Sequence, residues 1–79
     1  MDKYSIGVNA GIIWNLLSSD NKKWEYNELK RITGLSDRDL NTAIGWLARE
    51  DKIQFDMNKE GNKELLYIEL NLYLSLIHI

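Results

Sequence analysis

Residues 36–53 read SDRDLNTAIGWLAREDKI, and this stretch decides the fold because it holds a whole helix and the start of a strand. Ser36 is a strong helix N-cap, and Asp39, three positions on, can reach back to complete a capping box. Leu40, Ala43, Ile44 and Leu47 recur at i, i+3, i+4 and i+7, which stacks them on one helical face. This spacing predicts a helix over 37–50. The opposite face carries Arg38, Thr42, Gly45, Trp46 and Arg49. A mid-helix glycine costs about 1 kcal/mol relative to alanine, which leaves Gly45 with two readings. Either it is tolerated beside a half-buried tryptophan, or this face is a contact surface whose partner approaches the backbone.

Beyond Glu50 the period falls from helical to two. Ile53, Phe55 and Met57 alternate with Gln54 and Asp56, so a strand is expected over 52–57. Asn58 to Asn62 is a five-residue polar loop containing glycine and suits a hairpin. Alternation resumes over 64–70 with Leu66, Ile68 and Leu70, and continues through Leu72, Leu74 and Leu76. Upstream, 27–33 predicts a short helix with Leu29 and Ile32 inward, ended by Gly34. Two helices joined by the turn Gly34-Leu35-Ser36 form a helix-turn-helix. Lys22 to Tyr26 is too short for a helix and reads as a brief strand with Trp24 turned inward. The first helix is expected over 5–18. Ile6, Ala10, Ile13 and Leu17 share one face, while Val8 and Ile12 lie on the far side around Gly11. The expected core is Ile13, Leu17, Leu29, Ile32, Leu40, Ile44, Leu47, Phe55 and Ile68.

The resulting order is helix, short strand, helix, turn, helix, hairpin. It defines an α+β, mainly α, winged helix-turn-helix with a two- to three-stranded antiparallel wing sheet. Seventy-nine residues make one domain over 1–79, with 5–70 as its core and 71–79 as a tail. Without cysteine, neither a disulfide nor a thiolate metal site can hold so small a core, and oligomerisation is the remaining common device. The formal net charge of −2 gives no general attraction to nucleic acid or to an anionic membrane. No run approaches the roughly 18 apolar residues of a membrane span, and the N-terminus does not read as a signal peptide. A membrane-surface role for Lys3 to Leu17 lacks the Lys and Arg that its polar face would need. A soluble, cytoplasmic protein is expected.

Within this frame, Ile6-Gly7-Val8-Asn9-Ala10-Gly11-Ile12-Ile13-Trp14 and Ala43-Ile44-Gly45-Trp46-Leu47-Ala48-Arg49-Glu50-Asp51-Lys52-Ile53 resemble motifs of a small bacterial winged helix-turn-helix family, a domain of unknown function. The likeness covers roughly residues 5–70. It implies a compact winged-helix fold, a bacterial source and a homodimer. It implies no activity, since the family is similar to DNA-binding regulators in shape only. Asn71 to Ile79 departs from the family's usual ending.

Catalytic chemistry finds no support. The one histidine, His78, is next to the last residue, and no serine sits in a nucleophile elbow. Asp37 and Asp39 are better explained by the first turn of a helix than as a catalytic pair. No metal or cofactor site is expected, and no enzyme. Nucleic acid is the serious alternative. Arg38, Asn41, Thr42 and Arg49 on the recognition helix could meet DNA, with Lys30 and Arg31 before it and Lys59 and Lys63 in the wing. Against this stand Asp37 and Asp39 at the leading end, and Glu60 and Glu64 beside the wing lysines. Protein contact is the favoured reading, through Val8, Gly11 and Ile12 on the first helix and Gly45 and Trp46 on the third. The competing reading packs Val8 and Ile12 beneath the C-terminal strand of their own chain.

Overall fold

The computed structural model describes residues 2–20 and 22–71. The chain runs α1 (Lys3–Asp20), β1 (Trp24–Glu25), α2 (Tyr26–Thr33), α3 (Asp37–Arg49), β2 (Ile53–Glu60) and β3 (Lys63–Leu70). Three helices thus combine with one antiparallel sheet of strand order β1-β3-β2. This is the winged-helix arrangement, with all three strands present.

Local chemistry sets the boundaries. Asp2 and Ser5 exchange hydrogen bonds at the entrance to α1, so that helix starts two residues earlier than its apolar period indicates. α2 begins at Tyr26 because Glu25 is its N-cap. The Glu25 side chain accepts from the Asn27 N–H, and Glu28 accepts from the Glu25 N–H at 3.2 Å, a reciprocal capping box. The box expected at Ser36 and Asp39 is half formed: the Asp39 N–H donates to Ser36 Oγ at 3.2 Å. Gly34 closes α2 at φ 70°, donating its N–H to the Lys30 carbonyl.

α3 ends one residue earlier than expected, at Arg49. Asp51 there takes φ 57°, while its N–H donates to Ala48 O and that of Lys52 to Leu47 O. This is a Schellman ending with aspartate where glycine is usual. The wing also corrects the sequence. Asn58, Lys59 and Glu60 belong to β2, paired with Leu65, Glu64 and Lys63, and the loop shrinks to Gly61 and Asn62. Gly61, the first of the two, takes φ 62°, as the glycine of a II′ hairpin turn does.

The core comprises Ala10, Ile13 and Leu17 from α1, Trp24, Leu29, the α3 face Leu40, Ala43, Ile44 and Leu47, and Ile53 and Ile68 from the wing. Two expected members are outside it. Ile32 is 52% exposed because α2 has two turns and only Leu29 points squarely inward. Phe55 is 47% exposed although its cross-strand partner Ile68 is fully buried. β2 is the longer of the two edge strands, and after Ile53 its residues are exposed apart from the half-buried Asp56.

Candidate interaction surfaces on the first and third helices

α1 has two apolar sides. At 100° per residue, Ala10, Ile13 and Leu17 point to the core while Tyr4, Val8, Gly11 and Ile12 point away from it. Tyr4 is 79% exposed, Val8 45% and Ile12 42%. None of the described residues buries Val8 or Ile12 in the core. The alternating leucines Leu72, Leu74 and Leu76, and His78, lie outside the described residues.

Beside the ridge, a slot separates α1 from α3. Its wider end, about 430 Å³, lies between Lys3, Ile6, Gly7 and Trp46. A shallower end of about 180 Å³ runs on between Gly7, Gly11, Trp14, Trp46 and Lys52. Trp46 forms one wall and is 47% exposed. A Cβ added at Gly7, Gly11 or Gly45 would meet nothing within 4 Å. Among the described residues these glycines therefore serve no close approach; Gly7 and Gly11 line the slot, while Gly45 lies on the outer side of α3. Of the residues the sequence singles out for contact, Val8, Ile12, Gly45 and Trp46 are exposed. The sequence did not single out Tyr4 on the ridge, or Lys3, Gly7 and Lys52 on the slot. The spacing of Gly7 and Gly11 at i, i+4 was the available signal.

The residues expected to meet nucleic acid are distributed differently. Arg38, Thr42, Gly45 and Arg49 line the outer side of α3 within one narrow stripe. Lys30, however, is bound to Asp37 Oδ1 at 3.0 Å. The Tyr26 hydroxyl sits 3.0 Å from the same Asp37 oxygen and 2.8 Å from Asn41 Oδ1. A phenol has one proton, so it can serve only one of them, and turning the Asn41 amide to donate to the phenol oxygen satisfies both. The network holds α2 against the first turn of α3. Its charges follow from it: the Lys30 hydrogen bond, then that of Tyr26, holds the Asp37 carboxyl below the usual carboxylate range. Burial, then the bond to Asp37, pushes the Tyr26 hydroxyl up.

Thr42 Oγ1 donates to the Arg38 carbonyl at 2.6 Å. Arg31, Arg38 and Arg49 are exposed and carry no ion-pair partner among the described residues. In the wing, Lys59 stands opposite Glu64 and Lys63 opposite Glu60, so the tip is locally neutral. No group of three or more His, Cys, Asp or Glu converges as a metal site among the described residues, and none of their helices is long and apolar enough to cross a membrane.

The sequence profile of a winged helix-turn-helix domain family, DUF2582, matches residues 1–69. The chain belongs to this family. An uncharacterized protein of Methanocaldococcus jannaschii, MJ1608, is 43% identical over 49 residues, spanning 61% of this chain and 70% of that protein. That relative is archaeal, so the bacterial source implied by the resemblance finds no support in it. No solved structure gives a significant match. Residues 70–79 fall beyond the family match, as the departure after Leu70 anticipates.

Proposed function

We propose that this winged helix is a non-enzymatic, cytoplasmic module that works through protein contact, pairing with a second copy through the outward ridge of α1 together with Gly45 and Trp46 of α3. The observation that carries this reading is the two-sided apolar character of α1. A helix needs one apolar stripe to join its own core, and a second stripe on the opposite side is otherwise left in water. The mid-helix glycines strengthen the case, since each weakens its helix without serving a close contact among the described residues. A two-fold pair is the commonest closed assembly, and it would place equivalent ridges together.

Sedimentation of the full chain at micromolar concentration tests this. The expected result is a dimer that Ile12→Lys converts to a folded monomer, since Ile12 is already 42% exposed and contributes little to the core. A parent chain that sediments as a monomer would sink the proposal.

A second reading, a DNA-binding regulator using α3 as recognition helix, is favoured by the unpaired Arg31, Arg38 and Arg49. The Lys30–Asp37 pair and the neutral wing tip weigh against it, because non-specific affinity comes from uncompensated cations. Duplex binding that falls with salt and is weakened by Arg38→Ala supports that reading. Binding left unchanged by Arg38→Ala removes α3 from it.

A further inference from the structure

The wider end of the slot between α1 and α3 is framed by groups of different kinds. Trp46 supplies an indole wall, Ile6 a half-buried apolar side, Gly7 a bare piece of helix backbone, and Lys3 a cation. Among the described residues no Asp or Glu lines either end of the slot. A chain of net charge −2 thus sets two lysines, Lys3 and Lys52, and no carboxylate around one apolar surface. The two lysines differ in their engagement. The Lys52 ammonium lies 5.6 Å from the centre of the Trp14 ring, within reach of a cation–π contact. Lys3 makes no ion pair and no ring contact among the described residues. We propose that the wider end of the slot binds a small aromatic carboxylate, its ring on Trp46 over Gly7 and its carboxylate on Lys3.

Three observations choose this ligand. The first is size, because the wider end holds about 430 Å³ and small-molecule sites run from about 300 to 1,000 Å³. The second is the pairing of wall and floor. A half-exposed indole favours an offset-stacked aromatic partner. Gly7 lies inside the 18-residue α1, where glycine weakens the helix, and a Cβ there would meet nothing within 4 Å. The bare backbone lets a flat ring come close, which a larger residue would prevent. The third is charge. Asp2 accepts the Ser5 N–H at 2.8 Å, so the start of α1 is capped from within the chain and the Lys3 ammonium is the group left to meet an anion. An inorganic anion would answer Lys3 and leave the indole uncovered, and a neutral hydrocarbon would do the reverse. An aromatic carboxylate answers both. The inference concerns a small ligand rather than a second chain, and it does not rest on the pairing proposed above.

Titration of the full chain with naphthoate, followed through backbone amide and indole N–H resonances, tests it. Saturable shifts are expected at Gly7 and at the Trp46 indole. The neutral naphthamide should bind about fivefold more weakly, the scale of one exposed ion pair. Lys3→Gln should weaken naphthoate to about the same degree and leave naphthamide unchanged. Gly7→Leu puts a side chain into the open space of the slot and should abolish the shifts, while the amide spectrum stays that of a folded chain. Resonances of Gly7 and Trp46 that do not move with naphthoate overturn the proposal. So does binding that Gly7→Leu leaves unchanged, and so does equal affinity for the acid and the amide. Sedimentation with and without naphthoate reports pairing separately: naphthoate bound to a monomeric chain would uphold this site while the pairing fails.

Discussion

Replacing Gly11 with alanine separates the needs of the single chain from those of an assembly. Gly11 lies in the middle of the 18-residue α1, and a Cβ built there meets nothing within 4 Å. For the isolated chain the change is therefore favourable. An alanine in a helix interior is about 0.8–1 kcal/mol better than glycine, partly because the unfolded chain loses freedom. For a domain of this size that corresponds to a rise in melting temperature of about 4–8 °C. A second α1 packed across the ridge reverses the sign for association. The added methyl group then enters a contact built around a bare backbone, and overpacking of this kind costs about 1–3 kcal/mol. Because each 1.4 kcal/mol is tenfold, the dimer dissociation constant should rise about tenfold or more. Thermal melts at low and high chain concentration, combined with sedimentation, read both effects. Gly11→Ala should melt higher than the parent when dilute and lose that advantage as concentration rises. A variant that melts higher at every concentration, with dimerisation unchanged, would show that α1 meets no partner at Gly11.

The exposures of core and wing residues separate two truncations. Leu40→Ala should cost about 2–5 kcal/mol, whereas the 47% exposed Phe55→Ala should cost less than about 2 kcal/mol; urea titrations that rank them the other way would contradict the placement of β2. Asp51→Gly should raise the melting temperature by a few degrees, since a left-handed L-residue costs about 1–2 kcal/mol and glycine returns about half of that as entropy. The Asp37 carboxyl is held below its ordinary 3.8 in the folded chain. Its stabilising effect is complete above that value and lost as pH falls through the lower folded one, so Asp37→Asn should flatten the acid end of the stability profile. Tyr26 works in the opposite direction, its raised hydroxyl withdrawing stability as pH climbs past the ordinary 10.0, an alkaline loss that Tyr26→Phe should remove.

The helical period and the capping residues made most of this fold legible in the sequence. Leu40, Ala43, Ile44 and Leu47 read as one buried stripe because a helix repeats its faces whatever surrounds it, and all four are buried. Ile32 and Phe55 misled for a reason that no local pattern carries. Each is apolar and correctly phased, but whether a phased side chain is covered depends on how far the neighbouring layer extends. The wing loop was drawn too long because Asn58, Lys59 and Glu60 are polar. On a strand exposed along most of its length, both faces meet water and polarity stops marking a turn. The ridge of α1 was legible as surplus apolar surface. The slot was not, because its walls come from Lys3, Trp46 and Lys52, which only the tertiary fold brings together.

The electrostatics of the helix-turn-helix also order the two functional readings. A protein that neutralises several phosphates gains affinity that falls with salt at a slope of about 0.9 per contact, and duplex binders commonly make six to ten contacts. The helix-turn-helix and wing of one copy offer Arg31, Arg38 and Arg49, because Lys30 is committed to Asp37 and the wing lysines face Glu60 and Glu64. A slope near 3 is the most that these three cations support, too shallow for firm binding at physiological salt. Two copies joined through α1 would double the set, to a slope between about 5 and 6. On the proposed pairing, duplex binding by α3 would strengthen as the dimer forms. The charged network at the turn serves the fold instead: Asp37, at the helix end where a phosphate would sit, holds Lys30 and Tyr26 of α2 against α3. If duplex binding is found, Ile12→Lys should weaken it as strongly as Arg38→Ala, although Ile12 lies on α1 and not on the recognition helix. A monomeric Ile12→Lys that bound duplex with unchanged affinity and salt slope would break the link between the two.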